Sequence, residues 1–323
     1  FYIRSYSRTD LAKHSALYER IEGTSTCLTF EKIKKIDLGS FFFCIYHIFK
    51  VRKLWINVLN ANDINFYSLN GLKIFLSFFN SFLDSIKIFP TLIMHSKVVS
   101  FQEIRCTENI LCQLANLKNI ETFALEHAIG THKENGTFWE RYTSIIYSSS
   151  VCRNILCWGK YSENLFKKYS KAKVHIIGKA YLPEIEKLTD GVTFIFQSNR
   201  WKSANDKLLS LSFNLKKFGI PISHWFKGEN LLNKNNALRD GPLHKIVIGS
   251  STNLLVELGF LGLNVYLIKE SVFLEHLNNN LCVDNSNQIR NIYKSNIFYP
   301  NNVWKSIIEC TDNESISRYK KII

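Results

Sequence analysis

From residue 97 onward the sequence alternates short apolar runs, rich in β-branched and aromatic residues, with longer stretches of helical periodicity. Lys97 to Phe101 (K-V-V-S-F), Glu121 to Leu125 (E-T-F-A-L), Asn154 to Trp158 and Val174 to Ile177 read as strands, and Thr107 to Leu117 and Ser162 to Tyr169 read as helices. Alternation of this kind predicts a mostly parallel, doubly wound sheet. Upstream, Phe1 to Arg4 reads as a short strand, His14 to Glu22 as a helix stopped by Gly23, Leu54 to Leu59 as a strand and Leu72 to Leu83 as a helix. A second series begins near Asp190: strands at Val192 to Phe196, Ile220 to Phe226, Ile246 to Ile248 and Asn264 to Ile268, with a helix from Asp206 to Phe218 stopped by Gly219 and Pro221. Asp284 to Tyr293 and Val303 to Ile323 read as helical. The two series join between Gly178 and Asp190. The expected fold is therefore α/β: two Rossmann-like domains facing across a cleft, the first over residues 1–180 and the second over 181–300. In open sheets of this class, ligands bind at the carboxyl ends of the strands.

One such end is Lys245 to Glu257, K-I-V-I-G-S-S-T-N-L-L-V-E. The run Ile246 to Ile248 breaks at Gly249, hydroxyl residues follow, and an apolar-periodic helix opens. The first turn of a helix presents unpaired N–H groups and the positive end of the helix dipole, so Ser250, Ser251 and Thr252 predict a seat for phosphate. Glu257 shares a helical face with Asn253 and can accept hydrogen bonds from ribose hydroxyls. The competing reading is an ordinary Ser/Thr cap on a core helix.

Length and charge narrow the classes. A chain of 323 residues with 46% hydrophobic and 21% charged residues suits two soluble globular domains. The net charge of +14 favours anionic partners such as nucleotides, acidic glycans or anionic lipid surfaces. Nucleic acid is not expected, because Lys and Arg are dispersed and no nucleic-acid motif is present. The eight cysteines include no C-x-x-C and no Cys/His spacing suited to zinc, so buried free thiols in a reducing cytoplasm and no bound metal are expected. No spanning helix or signal peptide is evident. Phe41 to Trp55 mixes aromatic and basic residues, which suits either a peripheral contact with the inner face of the cytoplasmic membrane or a core helix with a basic end. The first residue is Phe1 rather than Met, which predicts a fragment of a longer chain.

Three segments carry a family resemblance. Thr122 to Gly130 (T-F-A-L-E-H-A-I-G) resembles the strand, His, Gly signature of GT-B glycosyltransferases that build bacterial capsules, lipopolysaccharide and teichoic acids. Asn154 to Tyr169, continuing to Val174–Lys179 (V-H-I-I-G-K), resembles the segment that closes their first domain. Ile246 to Glu257 is similar to the paired-serine nucleotide motif of transferases using CMP- or CDP-activated donors. The resemblance spans roughly Lys97 to Ile268. It implies a nucleotide-sugar donor held by the second domain, a glycan or lipid-linked glycan acceptor held by the first, no cofactor or metal, and a C-terminal helix over 301–323 returning to the first domain.

There are departures from the pattern. Many relatives carry His-Pro after the second strand of the donor domain. Here Ile222 to Asn230 reads I-S-H-W-F-K-G-E-N, with Lys227 as the candidate cation for phosphate and His224 as the other candidate. Sialyltransferase relatives carry an acid-acid-Gly motif where Glu126, His127 and Ala128 stand. The chain better resembles polyol-phosphate and Kdo-type transferases, in which a His follows this strand.

The chemistry asks for a base to take the acceptor hydroxyl's proton, and a near-neutral imidazole suits it. His127 is the candidate base. Glu126 orients it or is itself the base; since neighbours on a strand point to opposite faces, only one of the two is expected to face the cleft. The departing phosphate needs cations and N–H donors, for which Ser250, Ser251, Thr252, Lys227 and Ser198 are candidates, with Glu257 at the ribose. Asn199 and Arg200 follow Ser198, and Arg200 reads as a solvated loop charge. The alternatives are a polyol-phosphate transferase with a CDP-activated donor, a non-catalytic partner of this fold, and an anionic-polymer-binding protein. A UDP-sugar epimerase of the same fold would need paired catalytic carboxylates, which the sequence does not identify.

Overall fold

The computed structural model describes residues 2–4, 27–29, 81–86, 88–100, 106–126, 129, 148, 150–180, 182–185, 187–197, 201–226, 238–271, 277, 279–295 and 302–323. The expected helix at His14 to Glu22, the strand at Leu54 to Leu59 and the aromatic stretch Phe41 to Trp55 lie outside them, as does most of the expected helix Leu72 to Leu83. The chain divides into two compact units. The first comprises Phe1–His127, Ser149–Leu156 and Ser170–Lys173, and the second comprises Ala128–Ser148, Cys157–Tyr169 and Val174–Ile323.

The first sheet holds β1 (Tyr2–Arg4), β2 (Cys27–Thr29), β3 (Lys97–Ser100), β4 (Glu121–Leu125), β5 (Asn154–Cys157) and β6 (Lys173–Ile176), in the order β2-β1-β3-β4-β5-β6; its first four strands belong to the first unit, while Cys157 of β5 and Val174–Ile176 of β6 fall within the second. From β2 through β5 every pairing is parallel. Helix α1 (Cys106–Leu117) makes the crossover from β3 to β4. Its Leu111, Cys112 and Ala115 are fully buried, and so are Val98 and Ile155 of the strands. Between α1 and β4 the chain turns through Asn119, at a φ of 57°. Asn116 steadies this end, donating to Val151 O at 2.7 Å and accepting from Thr122 Oγ1 at 2.9 Å. Helix α2 (Lys160–Tyr169) follows β5.

The second sheet holds β7 (Thr189–Phe196), β8 (Ile222–Phe226), β9 (Leu238–Asp240), β10 (His244–Gly249), β11 (Asn264–Ile268) and β12 (Cys282–Val283), in the order β12-β11-β10-β7-β8-β9. All pairs are parallel except β8 with β9. Helices cover both faces, which explains the unbroken apolar runs in β7, β10 and β11. On one face α3 (Lys202–Lys216) and α5 (Ser286–Ser295) pack through Leu208, Leu215 and Ile289 against Phe194, Ile246, Ile248 and Tyr266. On the other, α4 (Asn253–Phe260) and α6 (Asn302–Lys305) pack through Leu255, Val256 and Trp304 against Ile195, Val247, Val265 and Leu267. Neighbouring residues on each strand serve opposite faces, as the two-residue period requires.

The expected single helix over Val303 to Ile323 is broken. α6 ends at Lys305, and α7 (Asp312–Ile322) starts afresh at the N-cap Thr311. The stretch between them forms main-chain bonds elsewhere: Glu309 N donates to Trp158 O at 3.0 Å, Tyr161 N to Ser306 O at 2.9 Å and Lys179 N to Cys310 O at 2.8 Å. Gly178 permits the last contact. Its φ is +81°, and a Cβ there would lie 2.2 Å from Cys310 O. All these residues belong to the second unit. The fold class expected from the sequence is met in its elements: two α/β units, each with a mainly parallel sheet.

Candidate functional site

In the second unit β7 and β10 are neighbours, with Gly249 opposite Ile195. After β7 the chain leaves for the α3 face; after β10 it leaves for the α4 face. This is the topological switch point, where the two departing chains part and leave a crevice at the carboxyl ends of the strands. The residues bordering it are Gln197, which follows β7, and Ser250 to Thr252, which follow β10.

Gln197 is locked in place through its main chain. Its N–H donates to Asn205 Oδ1 at 3.0 Å, and its carbonyl accepts from Asn205 Nδ2 at 2.9 Å. Asn205 lies in the first turn of α3, so the strand end and the helix start are tied by one side chain. The Gln197 side chain is left over: its Nε2 is buried, with no hydrogen-bond partner among the described residues.

Gly249 brings α4 close to the sheet, since a Cβ would lie 2.8 Å from Leu255 Cδ1. Ser250 is fully buried and Ser251 nearly so. Their hydroxyls lie 3.2 Å apart, Ser251 Oγ lies 3.3 Å from Ser271 Oγ, and Ser271 Oγ donates to Ser250 O. The two serines thus join a buried hydroxyl chain with Ser271, which braces the turn after β10 against the end of β11. Thr252 is different. It is the N-cap of α4, at φ −125° and ψ 144°, yet its side chain makes no cap bond. It is 5% exposed, and its Oγ1 is buried without a partner among the described residues. A Thr at this position ordinarily satisfies a helix N–H. Here the hydroxyl is unspent beside a helix N-terminus.

Asn253, the first residue of α4, accepts a hydrogen bond from Ile129 N at 3.1 Å. Ile129 is thereby tied to the start of α4 within the second unit. One turn further along α4, Glu257 forms an ion pair with Lys179. The Lys179 ammonium also stands 4.0 Å from the centroid of the Trp158 ring. Both charged side chains are about five-sixths buried, at 16% and 15% exposure. Glu257 is therefore held by a cation that the sequence reading did not single out. The available signal was the G-K pair that follows the strand Val174 to Ile177.

Glu126 directly follows β4, is 4% exposed, and donates its N–H to Leu156 O at 2.9 Å. His127, Ser198 and Lys227 lie outside the described residues, as do Asn199 and Arg200. His224 is on β8 opposite Phe194 and lies on the α3 side of the sheet. Its Nδ1 is 3.3 Å from Asp240 Oδ2, its ring meets Phe196 edge-on at 5.6 Å, and its Nε2 is buried without a partner among the described residues. Trp225, the next residue, packs on the opposite face. Among the described residues, no group of three or more His, Cys, Asp and Glu is arranged to hold a metal ion.

No family model matches the chain, and no curated protein matches it. Solved structures do. S. aureus MnaA, in a co-structure with UDP, is similar over 100% of this chain and 96% of its own, with 10% identity and a TM-score of 0.53. A glycosyltransferase from Rickettsia africae ESF-5 is 12% identical over 83% of this chain and 86% of its own, with a TM-score of 0.41. The GtfA/B complex is 8% identical over 75% of this chain and 60% of that chain, with a TM-score of 0.43. The first of these likenesses shows the fold: the chain is a protein of two Rossmann-like α/β units, with a topological switch point between β7 and β10 of its second sheet.

Proposed function

We propose that the chain is a nucleotide-sugar-dependent glycosyltransferase of bacterial surface-polysaccharide assembly, and that its second unit holds the nucleotide at the β7/β10 switch point. One observation carries the reading. Two buried side-chain donors without partners among the described residues, Thr252 Oγ1 and Gln197 Nε2, border the crevice beside the N-terminus of α4. Buried polar groups are ordinarily hydrogen-bonded, and a phosphate placed there would satisfy both while lying on the positive end of the helix. Ser250 and Ser251 contribute by fixing the turn through Ser271. Glu257, held by Lys179, is the proposed ribose acceptor, and Lys227 and Ser198 are proposed further donors to the phosphates. CMP and CDP are the proposed nucleotides. UDP joins them because the full-length structural relative was captured with UDP.

In the reaction, an acceptor hydroxyl of a glycan or lipid-linked glycan bonds to the anomeric carbon of the donor. The bond from that carbon to the phosphate oxygen breaks, and its electron pair leaves with the nucleotide. His127 takes the hydroxyl proton, with Glu126 orienting it. Charge grows on the departing phosphate, where the α4 N-terminus and the two unspent donors are fixed in advance. No metal or cofactor enters the proposal.

Thermal unfolding with CMP, CDP and UDP tests the reading. A ligand at about 100 times its Kd stabilises by roughly 2.7 kcal/mol, a rise of several degrees for a chain of this size. A rise with at least one nucleotide supports the assignment, and no rise with any of the three overturns it. Incubating the bound nucleotide-sugar without acceptor then separates transfer from epimerisation. A new epimer of the intact donor would replace the transferase with a UDP-sugar epimerase.

A further inference from the structure

The exposed side of α3 carries a feature that the nucleotide site does not use. Leu209 and Phe213 lie four residues apart on one stripe of the helix and are 41% and 59% exposed. Phe218, in the turn that follows, is 43% exposed, with the Arg290 guanidinium of α5 stacked 4.6 Å from its ring centroid. Lys202 and Lys216 lie on the same stripe as Leu209, with Lys217 at its margin. All three are exposed, and none makes an ion pair among the described residues. Asp206 is the only carboxylate on the stripe.

We propose that this face of α3 is a docking surface for an anionic lipid bilayer. The chemistry is that of an interfacial helix: large apolar side chains at the centre and basic residues around them. Long lysine stems let the ammonium groups reach headgroup phosphates while the leucine and phenylalanine enter the acyl boundary. Charge complementarity points to an anionic surface, since cations outnumber the single carboxylate here and the whole chain carries +14. The patch lies within the second unit and stands whichever nucleotide the switch point binds. No helix among the described residues is long and apolar enough to cross a membrane.

Co-sedimentation of the full chain with vesicles tests it, comparing phosphatidylcholine alone with phosphatidylcholine containing phosphatidylglycerol. Binding is expected to the mixed vesicles and not to the neutral ones, and to weaken as salt rises. The variant Leu209→Ser with Phe213→Ser should lose at least about tenfold in partitioning. Changing Lys202, Lys216 and Lys217 to Gln should cost about fivefold for each lysine that sits near the surface. Both variants alter exposed side chains, so their melting temperatures should match the parent's. Failure of the parent to bind mixed vesicles overturns the proposal, as does equal binding by the serine variant. A third outcome also overturns it: if the parent is a dimer and the serine variant a monomer at the same concentration, the face is an interface between copies of this chain.

Discussion

Thr252→Val separates a ligand-binding hydroxyl from a structural cap, because the two roles predict opposite signs. Valine keeps the branched shape of threonine and replaces the hydroxyl with a methyl group. The backbone at Thr252 is extended, at φ −125° and ψ 144°, a region valine favours. In the free protein Oγ1 is buried and unpartnered among the described residues. Leaving such a group unsatisfied costs about 1–3 kcal/mol, so removing it should leave the nucleotide-free protein as stable as before or about 1 kcal/mol more stable. A Thr cap that was in use would show the reverse, a loss of about 1 kcal/mol. With nucleotide the balance inverts. A hydrogen bond to a charged group is worth about 1.5–3 kcal/mol, so affinity should fall roughly 10- to 150-fold. Urea unfolding without ligand and calorimetric titration with the nucleotide that stabilises the parent measure the two effects separately. A variant that loses stability but keeps its affinity would refute the reasoning, because Thr252 would then be an ordinary cap.

Other perturbations give further expectations. His127→Ala should reduce turnover by about 10²–10⁴-fold with donor affinity nearly unchanged; near-normal turnover in a transfer assay moves the base to Glu126. Lys179→Met leaves Glu257 mostly buried without its cation and should destabilise by about 1–3 kcal/mol; adding Glu257→Gln should recover part of that loss in a double-mutant cycle of urea midpoints. Gly259→Ala, inside α4, would ordinarily favour a helix by about 1 kcal/mol. The new Cβ would lie 2.5 Å from the Trp304 ring, so the change should instead cost about 1–3 kcal/mol, read as a lower melting temperature. His244 is buried, and burial is the main cause holding its pKa below the ordinary value, against the opposing effects of Thr189 and Asp190. The unfolded chain therefore binds this proton first. The contribution of His244 to stability should be full above about pH 6.5 and be lost as pH falls from there toward the folded-state pKa. Urea midpoints across that window should show the decline, and His244→Asn should flatten it.

The elements most legible in the sequence are those whose two faces are both buried. β4 and β11 fall at their expected bounds, Glu121–Leu125 and Asn264–Ile268, because an apolar run bordered by turn residues has few other ways to fold. The strand–turn–helix over residues 244–260 was legible for the same reason, with Gly249 and the hydroxyl residues marking the break. What pairing alone decides was not legible. β9 is Leu-Arg-Asp, with no alternation to read, and is a strand only because it bonds to β8. Thr189 and Asp190 extend β7 because His244 pairs with Thr189. Thr311 to Glu314 (T-D-N-E) is a legible helix-start pattern that could have marked the break before α7, but the path of residues 306–310 follows from main-chain bonds to Trp158, Tyr161 and Lys179 more than a hundred residues upstream. At the site, the sequence marked every hydroxyl alike. The structure distinguishes Ser250 and Ser251, which bond with each other and Ser271, from Thr252, which does not. The G-K pair at Gly178 and Lys179 was visible, but its pairing with Glu257 was not, because the two residues come from different elements; nor did any local pattern mark the Gln197 amide, which is buried without a partner among the described residues.

The second unit draws on three separate stretches of chain. An expression fragment beginning at residue 181 would retain all six strands of its sheet yet lack α2, Trp158 and Lys179. Glu257 would lose its cation, and the carbonyl of Cys310 would lose the amide it accepts from. Autonomous production of this unit calls for grafting residues 157–180 back onto it, not for a cut at the linker.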